Sequence, residues 1–561
     1  MKFKKVRFNK FSFLSLFFLL GSLMLLPAEV RAQEDKDFET VKQLDIFYSL
    51  YKELDLFYVD EIDPAKTIRI AIDAMLEKMD PYTVYLPEDE IEDLRFMTTG
   101  EYGGIGALIR KYEDYVAISE PYQGFPAQKS GLKAGDIIVA IDGKDTKGKN
   151  TSDVSELLKG QPGTNVKLSI RRTGENAAME ITITREEIKI PSVPYYELLK
   201  GDIAYIQLSS FTNTATTEVR DAYLELSQNR KLNGVILDLR GNPGGLLVEA
   251  VKICNLFLEK DVLVVSTKGK VEQWDKEYKT TELPLDATIP LVVLVNSGSA
   301  SASEIVSGCM QDLDRGVIIG QKTYGKGLVQ TTRDLSYNSK LKVTTAKYYI
   351  PSGRCIQALD YTHRNEDGSV GRVPDSLVSE FKTRNGRSVF DGGGVLPDIV
   401  TEPRKIASIT ESLILENFIF DFATDYTAKN NTIAGAAEFH IDDALYGDFV
   451  SYLSDKHFEY QTESEELLNE LIETSKEEKY FSVAEAELEA LRLKLGHDTN
   501  KDLLVFKDEI SEILGMEIVH RYYYQKGKIQ YEMKYDEELN KAIEVISNKA
   551  MYDSILGVKN K

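Results

Sequence analysis

The stretch Leu291-Val292-Val293-Leu294-Val295-Asn296-Ser297-Gly298-Ser299-Ala300-Ser301-Ala302-Ser303-Glu304 passes from five aliphatic residues into a small, polar turn. A short apolar run bounded by turn residues predicts a strand buried on both faces, as in a parallel sheet. Beyond it, Ile305, Val306, Cys309, Met310 and Leu313 recur at helical spacing. Ser301 therefore falls at a strand-to-helix turn, where free N–H groups and the positive end of the helix dipole favour a developing oxyanion. A plainer reading competes with this one. Ser301 and Glu304 also match the capping-box pattern, which would make Ser301 only a helix cap.

Similar runs flank this segment. Ile203–Leu208 and Gly234–Leu239 read as buried strands, with helical patterns between the strands at residues 215–228 and 246–258. This alternation predicts an α/β core over residues 187–405. The strand Val317–Ile319 leads into Gly320-Gln321-Lys322-Thr323-Tyr324-Gly325-Lys326-Gly327-Leu328-Val329-Gln330. Lys326 sits between two glycines, which let the backbone fold tightly around it. A lysine acts as a base only when neutral, and desolvation favours that form. Lys322 competes for the role but lacks the glycine frame. The loop Asp238-Leu239-Arg240-Gly241-Asn242-Pro243-Gly244-Gly245 ends another strand and can present an N–H to an oxyanion, or can be a tight turn and no more.

Of five histidines, only His363 lies in the α/β part, so a Ser-His-Asp arrangement has little support. No histidine–carboxylate pattern suggests a metal site. Cys254, Cys309 and Cys355 form neither a metal pattern nor a disulfide framework and read as small buried hydrophobes.

The 561 residues carry a net charge of −22 with 42% hydrophobic residues. This balance supports a sizeable core and about three or four domains. It argues against a nucleic-acid-binding protein, which needs a basic surface. Lys2, Lys4, Lys5, Arg7 and Lys10 precede an apolar run from Phe11 to Pro27, and Val30-Arg31-Ala32 offers a cleavage site before Gln33. Residues 1–32 thus read as a signal peptide, with an uncleaved N-terminal anchor as the alternative. The expected location is exported and periplasmic, with or without a tether to the inner membrane.

Residues 33–97 read as a helical region and residues 98–186 as a β-rich module. That module contains Tyr102-Gly103-Gly104-Ile105-Gly106, a strand from Ala107, a turn at Asp142-Gly143, and a short helix Thr151–Leu158. Residues 406–561 are helical and carry no catalytic motif.

Together these segments resemble the carboxyl-terminal processing peptidases, relatives of the tail-specific and tricorn proteases. The resemblance runs from about residue 37 to 405. It includes Asp80-Pro81-Tyr82-Thr83-Val84-Tyr85-Leu86-Pro87, residues 298–305 and 323–330, Tyr348-Tyr349-Ile350-Pro351-Ser352-Gly353-Arg354, and Leu396-Pro397-Asp398-Ile399-Val400. It implies a multidomain α/β protein, with a crotonase-like (ClpP/crotonase-type) protease core, an inserted PDZ domain over 98–186 and a helical C-terminal region of unknown role over 406–561.

By the same resemblance, Ser301, rather than Ser299 or Ser303, is the nucleophile, Lys326 the general base, and Gln330 the residue that orients it. The oxyanion hole uses the N–H of Ala302 and of Gly245 or Gly244, with Gly245 favoured. Gly103, Gly104, Ile105 and Gly106 hold a peptide carboxylate, while Val154 and Leu158 help line a side-chain pocket. The expected partners are proteins with accessible C-terminal tails. A homodimer and an adaptor protein are compatible with it, and no cofactor is required. Two rivals remain: a PDZ scaffold on a retired peptidase fold, and an enoyl-CoA-hydratase-like enzyme.

Overall fold

The computed structural model describes residues 28–558, residue 366 excepted, so most of the expected signal peptide lies outside the described residues. Among those residues, no helix is long and apolar enough to cross a membrane. The chain divides after Lys78. The first unit contains the helices Ala28–Phe57 and Pro64–Glu77. Asp63 caps the second of these helices by accepting from the N–H groups of Ala65 and Lys66, and Pro64 at its first turn has no N–H to orphan; the second unit starts at Met79.

The second unit is built on a six-stranded sheet. Its order is Tyr195–Leu199, Ile203–Gln207, Gly234–Asp238, Leu291–Val295, Val317–Gly320 and Ile399–Val400. The first pair is antiparallel and the remaining pairs are parallel. Gly234–Asp238 and Leu291–Val295 are buried at every residue, as their unbroken apolar runs predict.

The helices Ala215–Leu226, Leu247–Phe257 and Ala302–Asp312 pack one apolar cluster. A second cluster joins the sheet to Glu537–Ser547 and Lys549–Ile555, through Leu539, Ala542, Val545, Ile546 and Tyr552. These two helices thus cover one face of the sheet. A β-carbon on Gly234 would lie 2.4 Å from Ile546, so this approach requires glycine.

A partly buried ion cluster around the buried Asp238 fastens that contact. Arg240 reaches Asp238 and Asp536 at 2.6 Å each and Glu538 at 2.9 Å, and the Tyr205 hydroxyl donates to Asp238. Removing one partner of a buried pair strands the remaining charges. Arg240→Ala is therefore expected to lose about 3–5 kcal/mol of stability, which thermal or urea unfolding would measure.

A second sheet contains the hairpin Leu328–Asp334 and Lys340–Tyr349, together with Leu263–Gly269, Lys276–Lys279 and Val84–Leu86. The sequence predicts helices throughout 37–97, but Val84–Leu86 is a strand that pairs antiparallel with Lys340–Lys342. The turn at Asp80-Pro81 ends helical propagation, and long-range pairing then decides the local conformation.

In the β-rich module, the strand order is Ala107–Tyr112, Tyr115–Pro121, Ile137–Ile141, Asn165–Arg171 and Met179–Thr184. Ala107–Tyr112 is an edge strand. Its rear face is held by the C-terminal helices: the Tyr112 hydroxyl donates to Asp421 (3.1 Å), Arg110 donates to Asn417 (2.8 Å) and lies over the Phe420 ring. Glu120 accepts from Gln525 N–H and pairs with His520, and both partners of that pair are buried.

Candidate active site

The strand Leu291–Val295 delivers the chain to Asn296, whose side-chain amide oxygen accepts from the N–H groups of Gly241 (2.8 Å) and Gly298 (3.0 Å). This ties the Ser301 turn to the glycine loop that follows the neighbouring strand. Three serines lie in the turn, and the structure separates them. Ser299 donates to the Leu239 carbonyl (2.8 Å) and Ser303 to the Asn242 carbonyl (2.9 Å), and both are fully buried. Ser301 is only half-buried, at the start of the helix Ala302–Asp312.

Backbone conformation bears on the capping alternative. An ordinary N-cap residue adopts extended dihedrals. Ser301 has φ 55° and ψ −110°, a left-handed conformation that a non-glycine residue adopts at a cost of about 1–3 kcal/mol. Strain of this kind persists where the surroundings impose it, and a sharp strand-to-helix turn of this form exposes a nucleophile.

Glu304 imposes it. Its fully buried carboxylate accepts from Ser301 N–H (2.9 Å) on its own turn, and from the Thr323 hydroxyl (2.6 Å), Gly325 N–H (2.7 Å) and Lys326 N–H (2.9 Å) on the next loop. Burial pushes its carboxyl above the ordinary range against those four donors. One side chain thus clamps the serine turn to the lysine loop. The sequence shows Glu304 as a capping-box residue, but its other three donors lie 19 to 22 positions away.

Lys326 sits where its glycine frame predicts. A β-carbon on Gly325 would meet Ala358 at 2.4 Å, and one on Gly327 would meet the Gln357 backbone at 2.9 Å. Burial, aided by Lys342 and opposed by Asp80 and Glu304, lowers the Lys326 pKa to about 8. Its Nζ lies 4.0 Å from the centre of the Tyr82 ring. Tyr82 is held by Asp80, which accepts from the N–H groups of Tyr82 and Thr83 and from the Thr83 hydroxyl. Lys322, the competing lysine, is exposed beside Gly393. Gln330 lies in the hairpin after Lys326, and its amide donates to the Thr344 hydroxyl (3.1 Å).

The two glycines also differ. Gly244 N–H donates to the Asn242 side chain (2.9 Å), while Gly245 N–H has no acceptor among the described residues. A β-carbon on Gly244 would lie 2.9 Å from Ala302 N, and one on Gly245 would lie 2.5 Å from the Phe211 carbonyl oxygen. The loop is therefore packed tightly against the Ser301 turn. His363 is exposed and paired with Asp360. Among the described residues, no cluster of three or more His, Cys, Asp or Glu could hold a metal.

In the β-rich module, the carbonyls of Gly103, Ile105 and Gly106 accept from Gly160, Ala127 and Tyr122. Gly106 has φ 73°, and a β-carbon there would lie 2.6 Å from Phe125. Val154 and Leu158 are 0% and 5% exposed in the module's own core, so a peptide side chain reaches them only if the helix Thr151–Leu158 shifts from the edge strand.

Comparison with known proteins gives the class: a serine-type peptidase that carries a PDZ domain. Residues 202–364 match the peptidase family S41, 118–172 match the PDZ domain, and 409–546 match a family described as "Probable PDZ-protease, C-terminal helical domain". The chain is 36% identical over 366 residues to the carboxy-terminal-processing protease of Bartonella bacilliformis, covering 65% of this chain and 81% of that one. It is 32% identical over 365 residues to a probable CtpA-like serine protease of Staphylococcus aureus, covering 63% and 72%. A solved structure of a photosystem II D1 C-terminal processing protease is 28% identical, covering 64% of this chain and 87% of that one, with a TM-score of 0.36. The chain belongs to the carboxy-terminal-processing proteases of peptidase family S41.

Proposed function

We propose that this chain is an exported endopeptidase that captures C-terminal tails through its PDZ domain and cuts by a Ser301–Lys326–Gln330 mechanism. The observation that carries this reading is the strained Ser301 turn, clamped by Glu304 to the loop of a lysine with a depressed pKa. Neutral Lys326 takes the proton of the Ser301 hydroxyl as Oγ bonds to the scissile carbonyl carbon. The N–H groups of Ala302 and Gly245 hold the resulting oxyanion. As the C–N bond breaks, Lys326 returns the proton to the leaving amine. Water then hydrolyses the acyl-enzyme, with Lys326 again as base. Gln330 orients Lys326, turning from Thr344 to do so.

A tail adds as a strand beside Ala107–Tyr112, with its carboxylate at residues 103–106. We divide the chain into a signal peptide (1–32), an N-terminal region (33–97) that is helical apart from the strand Val84–Leu86, the PDZ domain (98–186), a crotonase-like protease core (187–405) and a C-terminal helical domain (406–561). The family reading leaves a homodimer and an adaptor protein open as partners.

Gly245→Ala keeps the N–H, but its β-carbon would lie 2.5 Å from the Phe211 carbonyl oxygen and must push the donor out of place, so kcat is expected to fall by up to about 10²–10³-fold, the effect of losing one oxyanion donor. Steady-state kinetics, with circular dichroism to confirm folding, would measure it. The proposed function itself is tested with an unstructured reporter bearing an apolar C-terminal tail. Wild type should cut it, while folded Ser301→Ala and Lys326→Ala should not. Cleavage retained in either variant removes that residue from the mechanism.

A further inference from the structure

Beside Lys326 lies a cavity of about 560 Å³, within the size range of ligand sites. Leu328, Val343, Ala346 and Leu359 give it an apolar floor. Its inner wall is shared with the surroundings of Lys326. Thr344 accepts from Gln330, Asp80 is close enough to influence the Lys326 charge, and Tyr361 packs edge-on against Tyr82 at 6.1 Å.

Three exposed lysines, Lys268, Lys270 and Lys347, complete the lining. Among the described residues, no carboxylate forms an ion pair with any of them. Lys268 only overlies the Tyr349 ring, at 5.2 Å. The cavity's two acids are already engaged. Asp80 accepts three hydrogen bonds from its own turn, and Asp360 pairs with His363 and accepts from Thr362 N–H. The lining thus sets three lysines against two carboxylates, a formal excess of positive charge in a chain whose net charge is −22.

We propose that this cavity is a substrate subsite that receives an acidic side chain, Asp or Glu, from the peptide segment next to the scissile bond. The proposal rests on the peptidase reading of Ser301 and Lys326. An apolar floor holds the stem of such a side chain while the lysines meet its carboxylate, and the engaged acids leave the lysines free to do so. The site selects substrates by the sequence near the cut, in addition to any selection by the tail.

Binding tests this without requiring turnover. The full chain carrying Ser301→Ala would be titrated with fluorescent peptides that share one apolar tail and carry Glu, Gln or Lys at each upstream position in turn. At one or two adjacent positions, Glu should bind roughly three- to tenfold more tightly than Lys, the scale of a few partly exposed ion pairs. The difference should shrink as salt is raised. Adding Lys268→Glu and Lys347→Glu should reverse the order, and Lys268→Gln with Lys347→Gln should flatten it. Equal binding at every position, or an order unchanged in these variants, overturns the subsite. Cleavage of the Gln reporter by wild type and by Lys326→Ala forms a separate arm. Cleavage that survives Lys326→Ala sinks the peptidase mechanism, whereas a flat charge scan sinks the subsite alone.

Discussion

Glu304→Ala is expected to abolish peptidase activity and to destabilise the protein by several kcal/mol. The substitution removes the acceptor of Ser301 N–H, the Thr323 hydroxyl, Gly325 N–H and Lys326 N–H at once. Each buried donor left without an acceptor costs about 1–3 kcal/mol, a sizeable share of a typical total of about 5–15 kcal/mol. Nothing then holds Ser301 at φ 55° or fixes the lysine loop against it. Glu304→Gln repairs only half of this. The amide oxygen can still serve the Ser301 and Lys326 N–H groups, but the NH₂ group then faces Gly325 N–H and leaves it without an acceptor. The Gln variant should fold, melt lower than wild type, and lose more in kcat than in KM. Unfolding curves and steady-state kinetics on the pair would show both effects. An alanine variant with wild-type kcat would mean that the clamp has no part in catalysis.

Lys326→Met should have opposite effects on activity and stability. Loss of a catalytic base is expected to reduce kcat by roughly 10⁴–10⁶-fold, as removing one member of a coupled set does elsewhere. Stability should rise at neutral pH. The folded pKa of about 8 lies below the ordinary 10.5, so burial penalises the charged lysine. Below pH 8, both folded and unfolded chains carry the proton and the penalty is fully present. Between 8 and 10.5 the folded chain releases the proton while the unfolded chain keeps it, and wild type regains stability. The advantage of Lys326→Met should therefore narrow as pH rises across that window. For wild type, kcat/KM should climb as pH rises through about 8 and then level off. A group that stabilises an active site by charge alone would give the reverse slope.

The parts of this account that were legible in the sequence are the local ones. The runs Gly234–Leu239 and Leu291–Val295 read as buried strands because a parallel sheet covered on both faces leaves no polar alternation. Lys326 was marked by its flanking glycines, which the packing of Ala358 and Gln357 requires. What could not be read depends on distant contacts. Glu304 matches a capping box whether or not its other donors exist. Asp80 to Pro87 was a motif without a role until the fold set Tyr82 against Lys326. Val84–Leu86 became a strand because a partner strand lies beside it. The last two helices gave no local sign that they would cover the protease sheet, or that Asp536 and Glu538 would meet Arg240. The serine turn lies between these cases: its position is legible and the resemblance points to Ser301 among its three serines, while the bonds of Ser299 and Ser303 to the neighbouring loop and the strained Ser301 backbone are visible only in the fold.

In the proposed mechanism, Lys326 in its neutral form activates Ser301. The most direct measurement is the rate at which a serine-reactive fluorophosphonate labels the intact protein, followed by mass spectrometry across pH. The account predicts one adduct, mapped to Ser301, forming with a half-maximal rate near pH 8 and lost in folded Lys326→Met. An adduct on another serine, or equal labelling of Ser301 without Lys326, would contradict it.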